Sequence, residues 1–274
     1  MIQLNDVSYT YPQSKEPAVK NISLTIRENE FIAIMGRNGS GKSTLARLLN
    51  GLILPDIGEV IVDGLSSLKP ENLLEIRKRV GLLFPDPDSQ LVSNLVEEEI
   101  AFGLENLGLS PVEIRKRVDA ALKMVSMEDY EKYPPYLLSG GQKQKICIAS
   151  FLAMQPTYLI LDEPFSMLDP GGRNDLLSLL LTMQPKLNIA LLMITHNLED
   201  ALQADQIVIM DKGEIINIAH PREILKMGTK ITALGIEPLE LNSFIEQLES
   251  ATGISIAPDT IEIESLVETI CHLS

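Results

Sequence analysis

The sequence predicts an α/β fold built on a parallel β-sheet, and three observations support this prediction. Short buried strands alternate with helical patterns, the strands being Phe31–Met35, Tyr158–Leu161, Ile189–Thr195 and Ile207–Met210. A mostly helical and charged block, from about residue 70 to 155, interrupts the alternation. Hydrophobic residues make up 45% of the 274 residues, which suffices for a sizeable core and argues against disorder.

The first elements follow one another closely. Ile22–Ile26 alternates apolar and polar residues and is typical of a half-buried strand. Phe31–Met35 is continuously apolar, as expected of a strand covered on both faces. A polar loop, Gly36–Ser43, separates this strand from a predicted helix over Thr44–Leu49. A further short strand is predicted over Glu59–Val62.

The last 50 residues predict two short helices. Helical spacing relates Leu241, Phe244, Ile245 and Leu248, before a stop at Gly253. The same spacing recurs at Ile263, Leu266, Val267 and Ile270. These pieces are too small for a core of their own, so we expect them to pack on the main body or on a partner.

Charge and composition exclude several classes of protein. The net charge of −15 argues against a nucleic-acid partner, because such surfaces carry a basic excess. Cys147 and Cys271 lie far apart, which favours reduced thiols over a disulfide or a metal site. The N-terminus lacks a signal-peptide pattern, and no apolar run approaches the roughly 18 residues of a membrane span. Any work at a membrane would therefore need a partner.

The polar loop after the Phe31–Met35 strand carries the strongest motif. The segment Gly36-Arg37-Asn38-Gly39-Ser40-Gly41-Lys42-Ser43 fits GxxxxGK[ST] at every fixed position. The glycines let several backbone N–H groups point at one phosphate, and the following helix adds its positive end. Lys42 supplies a charge for the β/γ-phosphates, and Ser43 a hydroxyl for Mg²⁺. The loop therefore predicts binding of Mg-ATP and its hydrolysis.

Two carboxylates end the strand at Tyr158–Leu161. A single acid in this place is usually a loop residue or a helix cap. In a chain that also has a phosphate-binding loop, the adjacent pair Asp162 and Glu163 instead suggests two different catalytic roles. Asp162 would hold Mg²⁺, and Glu163 would orient or deprotonate the attacking water.

A second glycine-rich segment, Leu138-Ser139-Gly140-Gly141-Gln142, precedes a helical pattern over Lys143–Met154. Ser139 could be an ordinary N-cap, and the glycines an ordinary tight turn. The segment also has the parts of a second phosphate grip, namely exposed N–H groups and a hydroxyl at a helix N-terminus. Because the loop Gly36–Ser43 already binds one phosphate chain, a second phosphate-binding segment suggests that a second molecule takes part.

Taken in order, these motifs resemble those of ABC-type ATPases, together with Ser166-Met167-Leu168-Asp169 and Thr195-His196. The resemblance implies a P-loop NTPase (RecA-like) core, an N-terminal antiparallel β subdomain and an inserted helical subdomain at about 85–155. It also implies a head-to-tail dimer with a second ABC ATPase. The partner's ATP would be touched by Ser139, Gly140, Gly141 and Gln142.

The same resemblance assigns roles to single residues. Asp169 would lie at the dimer interface, and His196 would contact the γ-phosphate and help to position the water. Tyr11 corresponds to the aromatic residue that stacks on adenine, with Tyr9 the weaker candidate, and Thr44 would also contact the nucleotide. Without the resemblance, His196 at the end of an apolar run reads as a capped structural histidine.

A narrower resemblance covers nearly the whole chain. Leu49–Leu52, Ala101–Gly108, Leu138–Lys145 and the end of the tail, Glu264–Glu268, are similar to the ATPase subunits of energy-coupling factor (ECF) transporters. This implies a peripheral protein at the cytoplasmic face of the cell membrane, with a transmembrane coupling subunit and a substrate-binding membrane subunit. It also divides the chain into an ATPase domain, 1–225, and a dimer-contacting extension, 226–274.

One departure from that family concerns the loop between core and helical block. The family places a glutamine after Phe84, where this chain has Pro85; of the two loop glutamines only Gln90, a candidate Mg²⁺ contact, remains. Proline offers neither a side-chain amide nor a backbone N–H. The hypothesis is that this loop senses nucleotide differently and that intrinsic turnover is modest.

Two other functions are compatible with the motifs. A soluble ABC ATPase acting on nucleic acid or ribosomes would usually add a second cassette, a coiled coil or a basic surface, none of which the sequence shows. A regulator that binds nucleotide without turnover would rest on Pro85 alone, and the intact Glu163 and His196 argue against it. The sequence names no transported substrate and does not distinguish a homodimer from a heterodimer.

Overall fold

Two β-sheets and a set of packed helices form the fold in a computed structural model, which describes residues 1–239, 244–245, 247–248 and 250–251. The strands are β1 Ile2–Tyr9, β2 Val19–Ile26, β3 Phe31–Gly36, β4 Ile57–Val62, β5 Leu65–Ser66, β6 Val80–Leu83, β7 Tyr158–Asp162, β8 Ala190–Ile194, β9 Gln206–Asp211 and β10 Glu214–Ala219. The helices are α1 Lys42–Leu49, α2 Leu73–Arg79, α3 Val96–Asn106, α4 Pro111–Met124, α5 Gly140–Met154, α6 Pro170–Leu187, α7 Leu198–Ala201 and α8 Pro221–Leu225.

The smaller sheet is antiparallel and has the strand order β2-β1-β4-β5. Alternate residues of β1, such as Ile2 and Leu4, are buried, which is the period expected of a sheet with one face on the core. They pack in one cluster with Ile32 and Ile34 of β3 and Leu45 of α1. The predicted N-terminal antiparallel subdomain is thereby confirmed.

The larger sheet has the order β10-β9-β3-β8-β7-β6, and all pairs are parallel except β10 with β9. Four neighbouring strands, β3, β8, β7 and β6, therefore end at the same edge. The loop Gly36–Ser43 follows β3, His196 follows β8, Glu163 follows β7, and Pro85 follows β6. In parallel sheets this edge is where ligands bind.

The inserted helices have a core of their own. Val96 and Ile100 of α3 pack with Val118 and Leu122 of α4 and with Ile146 of α5. The block predicted to be helical from about residue 70 is interrupted, however, because Val80–Leu83 is a fully buried strand. The block is mostly helical, as predicted, but this strand was not predicted, because four apolar residues are too few to distinguish a strand from a helix by periodicity.

The predicted extension begins against the main body. Ile231 and Ile236 are buried in the cluster that covers the far face of the large sheet. Residues 244, 245, 247, 248, 250 and 251 are helical, as the first helical pattern predicts. Leu241, Gly253, the second pattern at 263–270 and Cys271 lie outside the described residues. The division of the chain at residue 225 stays a prediction. In the described part of the chain, no helix has the length and apolarity to span a membrane.

Candidate functional site

The glycine-rich loop is shaped by two close approaches of its backbone. Gly36 has φ +142° and Gly41 has φ +103°, a region that side chains disfavour. A Cβ atom would collide with the carbonyl oxygen of Met210 at Gly36, and with that of Ala18 at Gly41. The loop therefore keeps its curl only with glycine at these positions, and it ends where α1 begins at Lys42.

Lys42 lies inside this loop and is only 6% exposed. Its Nζ donates to the carbonyl oxygens of Gly36, at 2.8 Å, and Arg37, at 3.0 Å. Burial lowers the pKa of Lys42, while the nearby charges of Glu163 and Asp162 oppose that shift. The structure thus brings the predicted phosphate-binding lysine next to both predicted carboxylates.

The outer part of the loop is open to solvent. Arg37, Asn38 and Gly39 are exposed, whereas the Ser40 hydroxyl is buried and has no hydrogen-bond partner among the described residues. The aliphatic stem of Arg37 lies over Gly235, which has φ +74°. The exposed backbone at the tip of the loop is accessible to a ligand.

Asp162 has the features of a metal ligand. It is 3% exposed, and burial raises its pKa, while a hydrogen bond from Ser43 and the charge of Lys42 lower it. One carboxylate oxygen, Oδ1, has no hydrogen-bond partner within the part of the chain that the structure describes, which is costly for a buried polar atom. Mg²⁺ prefers carboxylate and hydroxyl oxygens and usually binds through one or two protein ligands plus substrate phosphates.

The rest of the protein agrees with a metal that arrives with its nucleotide. Among residues 1–239 and the helical residues described beyond them, no three His, Cys, Asp or Glu side chains cluster closely enough to hold a metal ion. Ser43 and Asp162 therefore fit Mg²⁺ only as a partial set of ligands, which the phosphates of ATP would complete.

Glu163 and His196 form a pair at the ends of β7 and β8. The Nε2 atom of His196 lies 2.8 Å from Oε1 of Glu163. Glu163 has φ +50°, a conformation that costs an L-residue about 1–2 kcal/mol, and its N–H donates to the carbonyl oxygen of Ile194 at 3.0 Å. Strain of this kind is common at functional sites. Both side chains are partly exposed beside Lys42 and can reach a ligand.

Tyr11 lies next to α1, as its predicted role requires. Its hydroxyl is 3.2 Å from Oγ1 of Thr44 and accepts from Nη1 of Arg47 at 3.2 Å. Tyr9 packs edge-on against its ring, with the centroids 5.0 Å apart. The structure thus joins Tyr11 and Thr44, and it adds Arg47, which the sequence did not indicate. The stacking role of Tyr11 stays a prediction.

The segment Ser139–Gln142 forms the N-terminus of α5. Ser139 Oγ accepts from the Gln142 N–H at 3.3 Å, and Gln142 Oε1 accepts from the Ser139 N–H at 2.9 Å, which is a capping box. Gly140 and Gly141 pack against Met167 and Leu168 of the turn before α6.

Asp169, at the end of that turn, caps α6 by accepting from the N–H of Gly172 at 2.9 Å. Ser139, Gly140 and Asp169 are exposed. No hydrogen bond among the described residues joins Ser139–Gln142 to Gly36–Ser43. The two predicted phosphate-binding segments therefore share no hydrogen bond within the described part of one chain.

Gln90 has a different partner from the one predicted. Its Oε1 accepts from the N–H of Phe84 at 3.1 Å, which ties the side chain to its own loop. No hydrogen bond recorded among the described residues joins Gln90 to Ser43 or Asp162. The same loop is held by Asp86, whose side chain accepts from the N–H of Asp88 at 3.0 Å. A role of Gln90 at the metal stays a prediction.

Two charged residues behind the Glu163–His196 pair were not predicted. Arg173 donates through Nε and Nη2 to Oδ1 of Asp200, at 3.0 and 2.9 Å. Arg173 follows Asp169 by four residues, and Asp200 follows His196 by four. That spacing places each of them one helical turn beyond a predicted site residue, which is the signal that could have indicated them.

Comparison with known proteins agrees with this site. A sequence model of the ABC transporter family matches residues 19–166. The energy-coupling factor transporter ATP-binding protein EcfA of Syntrophomonas wolfei is 50% identical over 272 residues, 99% of each chain. EcfA1 of Clostridium perfringens is 43% identical over 277 residues, covering 100% of this chain and 98% of that protein.

Solved structures give the same result. The fold matches cbiO1 of Clostridium perfringens, part of the ABC transporter complex cbiONQ, with a TM-score of 0.77, 34% identity, and 89% and 98% of the two chains covered. It also matches the dimeric ATP-binding cassette MJ0796 bound to ADP and Pi, with a TM-score of 0.74, 31% identity, and 81% and 99% covered. The chain therefore belongs to the ABC transporter family, as an energy-coupling factor transporter ATP-binding protein that binds ATP with Mg²⁺ and hydrolyses it.

Proposed function

We propose that this chain powers an ECF-type importer, in which ATP hydrolysis drives the uptake of a vitamin or a metal ion through transmembrane partners. The observation that carries the proposal is an incomplete site. Lys42, Asp162, Glu163 and His196 meet at one sheet edge, while the second phosphate grip, Ser139–Gln142, is exposed elsewhere. The EcfA and EcfA1 relatives, both energy-coupling factor transporter ATP-binding proteins, support the importer class.

The proposed roles follow from the positions of the side chains. Lys42 and the loop N–H groups hold the β/γ-phosphates, while Ser43 and Asp162 would hold Mg²⁺, which when bound would supply positive charge to those phosphates. Glu163 orients or deprotonates the attacking water, and His196 contacts the γ-phosphate. Tyr11 stacks on adenine. The contact between Glu163 and His196 supports their assignment to one reaction.

A head-to-tail dimer completes each site. Ser139 and Gly140 are exposed at the N-terminus of α5, and the exposed Asp169 lies near them. A second copy, or a related ATPase, would present this surface to the ATP bound at Gly36–Ser43. The segment beyond residue 225 would help to hold the two ATPases together.

A groove on the helical subdomain suits a membrane partner at the cytoplasmic face. It has a volume of about 530 Å³ and lies between α3 and α4, with Phe102, Glu98 and Glu105 among its lining residues. Phe102 is 51% exposed, and Arg115 is already paired with Glu97 at 2.7 Å. Among the described residues no cation pairs with Glu98 or Glu105. An apolar anchor beside two such carboxylates fits a basic, amphipathic loop of a transmembrane coupling subunit.

The groove can be tested by charge reversal. The full chain is co-expressed with its candidate membrane subunits, extracted in detergent and purified through the membrane subunit. Glu98→Lys combined with Glu105→Lys should abolish co-purification, whereas Glu128→Lys, on the same subdomain outside the groove, should not. Equal recovery of both variants would refute the groove as the docking surface.

The hydrolytic assignment is tested with Glu163→Gln, which keeps the shape of the side chain and removes its charge. General-base catalysis typically contributes about 10²–10⁴-fold, so ATP turnover should fall by that factor while ATP binding persists. Fractionation addresses the alternative, a soluble ABC ATPase acting on nucleic acid or ribosomes. A transport subunit follows membranes only with its partner co-expressed, whereas the alternative predicts fractionation with ribosomes or DNA.

A further inference from the structure

The turn that carries His196 is held by a buried polar network. Asp200 is 2% exposed and accepts two hydrogen bonds from Arg173 on one oxygen. Its other oxygen accepts from Oγ1 of Thr195 at 3.1 Å, and Thr195 in turn accepts from the N–H of Asn197 at 3.1 Å. These contacts fix the residues on either side of His196.

A cleft lies beside this turn, on the side of Glu163 and His196. It has a volume of about 170 Å³ and is lined by Glu163, Phe165, Ser166, Arg173, His196 and Asp200. Leu198 and Ala201, just after the turn, are buried in the core and anchor α7, so the polar contacts are left to orient the part of the turn that faces the cleft. Among the hydrogen bonds of the described residues, the contact that reaches the turn from another helix is that of Arg173, whose Nε and Nη2 both donate to Oδ1 of Asp200.

The same network connects to the surface proposed for the partner ATPase. Arg173 lies in the first turn of α6, and its N–H donates to the carbonyl oxygen of Asp169 at 2.9 Å. The helix cap at Asp169 and the turn at His196 are thus joined through one ion pair. Movement of the first turn of α6 would therefore be felt at His196.

We propose that Arg173 and Asp200 are positioning residues for ATP hydrolysis, which hold the His196 imidazole against Glu163 and link that geometry to the exposed turn at Asp169. Neither side chain is assigned a contact with nucleotide. The inference rests on the proposed roles of Glu163 and His196, so its test includes a variant that examines those roles separately.

The test measures steady-state ATPase activity, nucleotide affinity and thermal unfolding of the full chain in its assembled form. Arg173→Ala should lower kcat by about 10- to 100-fold, because a misplacement near 1 Å has an effect of this size. KM and the Kd for a fluorescent ATP analogue should stay within about twofold, since Lys42 and Tyr11 are unaffected. Arg173→Lys, which keeps the charge but loses the forked contact, should restore only part of kcat.

The matched control is Arg117→Ala on α4. Arg117 is 23% exposed and pairs with Glu113, and Arg173 is 24% exposed and pairs with Asp200, so each variant removes a largely buried, ion-paired arginine. The control should keep wild-type kcat. If Arg173→Ala does not fold, Asp200→Asn takes its place, because asparagine preserves the shape of the aspartate side chain. Its kcat is then calculated per folded molecule. A kcat within twofold of wild type in either folded variant, with Glu163→Gln inactive, overturns the positioning role. Continued turnover by Glu163→Gln would instead overturn the proposed roles.

Discussion

The close approach at Gly41 predicts a large and specific effect of a single methyl group. Alanine at this position would take on a positive φ, which costs about 1–2 kcal/mol. Its Cβ would also overlap the carbonyl oxygen of Ala18, a backbone atom that cannot rotate away. Overpacking of this kind typically adds about 1–3 kcal/mol, so Gly41→Ala should destabilise the protein by about 2–5 kcal/mol. ATP affinity should fall as well, since the loop N–H groups would be displaced.

Gly64→Ala separates the cost of the positive φ from the cost of the steric overlap. Gly64 has φ +81° in the turn between β4 and β5, and a Cβ there would meet nothing within 4 Å. It should therefore show only the conformational cost, about 1–2 kcal/mol, and unchanged ATP binding. Urea unfolding followed by circular dichroism gives the free energies, and titration with Mg-ATP gives the affinities. Equal destabilisation by both variants, with equal affinity, would refute the close approach as the constraint on the loop.

Three further predictions concern the metal, the loop at Pro85 and acid stability. Ligand at a hundredfold excess over its Kd stabilises the folded protein by about 2.7 kcal/mol. In the wild type, Mg-ATP should raise the unfolding temperature more than ATP with EDTA does, and Asp162→Asn should remove that difference. A wild-type unfolding temperature that does not change when EDTA is added would contradict the metal role. Pro85→Gln should raise ATP turnover in the intact transporter, and equal rates would refute the hypothesis that this loop limits turnover. Tyr158→Phe should cost about 1 kcal/mol at pH 7, because Tyr158 donates to Asp63 at 2.7 Å.

The acid dependence of that last variant follows from the pKa of Asp63. Burial alone would raise it, but hydrogen bonds from the N-terminal ammonium, Tyr158 and Arg79 hold it below its usual value. A carboxyl with a lowered folded pKa contributes stability above its unfolded pKa and loses it as pH falls through the folded pKa. The stability difference between wild type and Tyr158→Phe should therefore shrink in acid; a constant difference down to the acid transition would contradict this.

The sequence predicted the elements whose chemistry depends on fixed local spacing. Gly36–Ser43 and the carboxylates at the end of β7 could be found because neighbouring residues in the chain make each motif. Strand β6 could not, since four apolar residues have no clear period. Helix α6 was also missed: it contains Pro185, and two glycines follow Pro170 at its start, so local propensity argues against it. Its formation depends on burial of Leu176 and Leu180 against the sheet.

Contacts between distant segments set the remaining limits. Arg173 and Asp200 are 27 residues apart, and only the neighbouring ends of β7 and β8 bring them together. The partner of Gln90 was likewise not predictable, because the loop folds back so that a side-chain oxygen accepts from the N–H at the end of β6. A motif indicates which residues matter, whereas the network that orients them appears only in three dimensions.

The capping box at Ser139 shows that the structural and the functional interpretation of a motif can both hold. The cap uses acceptors: Ser139 Oγ and Gln142 Oε1 each receive a backbone N–H. It leaves donors, namely the Ser139 hydroxyl proton, the Gln142 amide and the first N–H groups of α5, which have no partner within the helix. A phosphate requires donors alone, and the positive end of the helix favours its charge. The cap therefore orients these donors for the proposed contact with the partner's ATP.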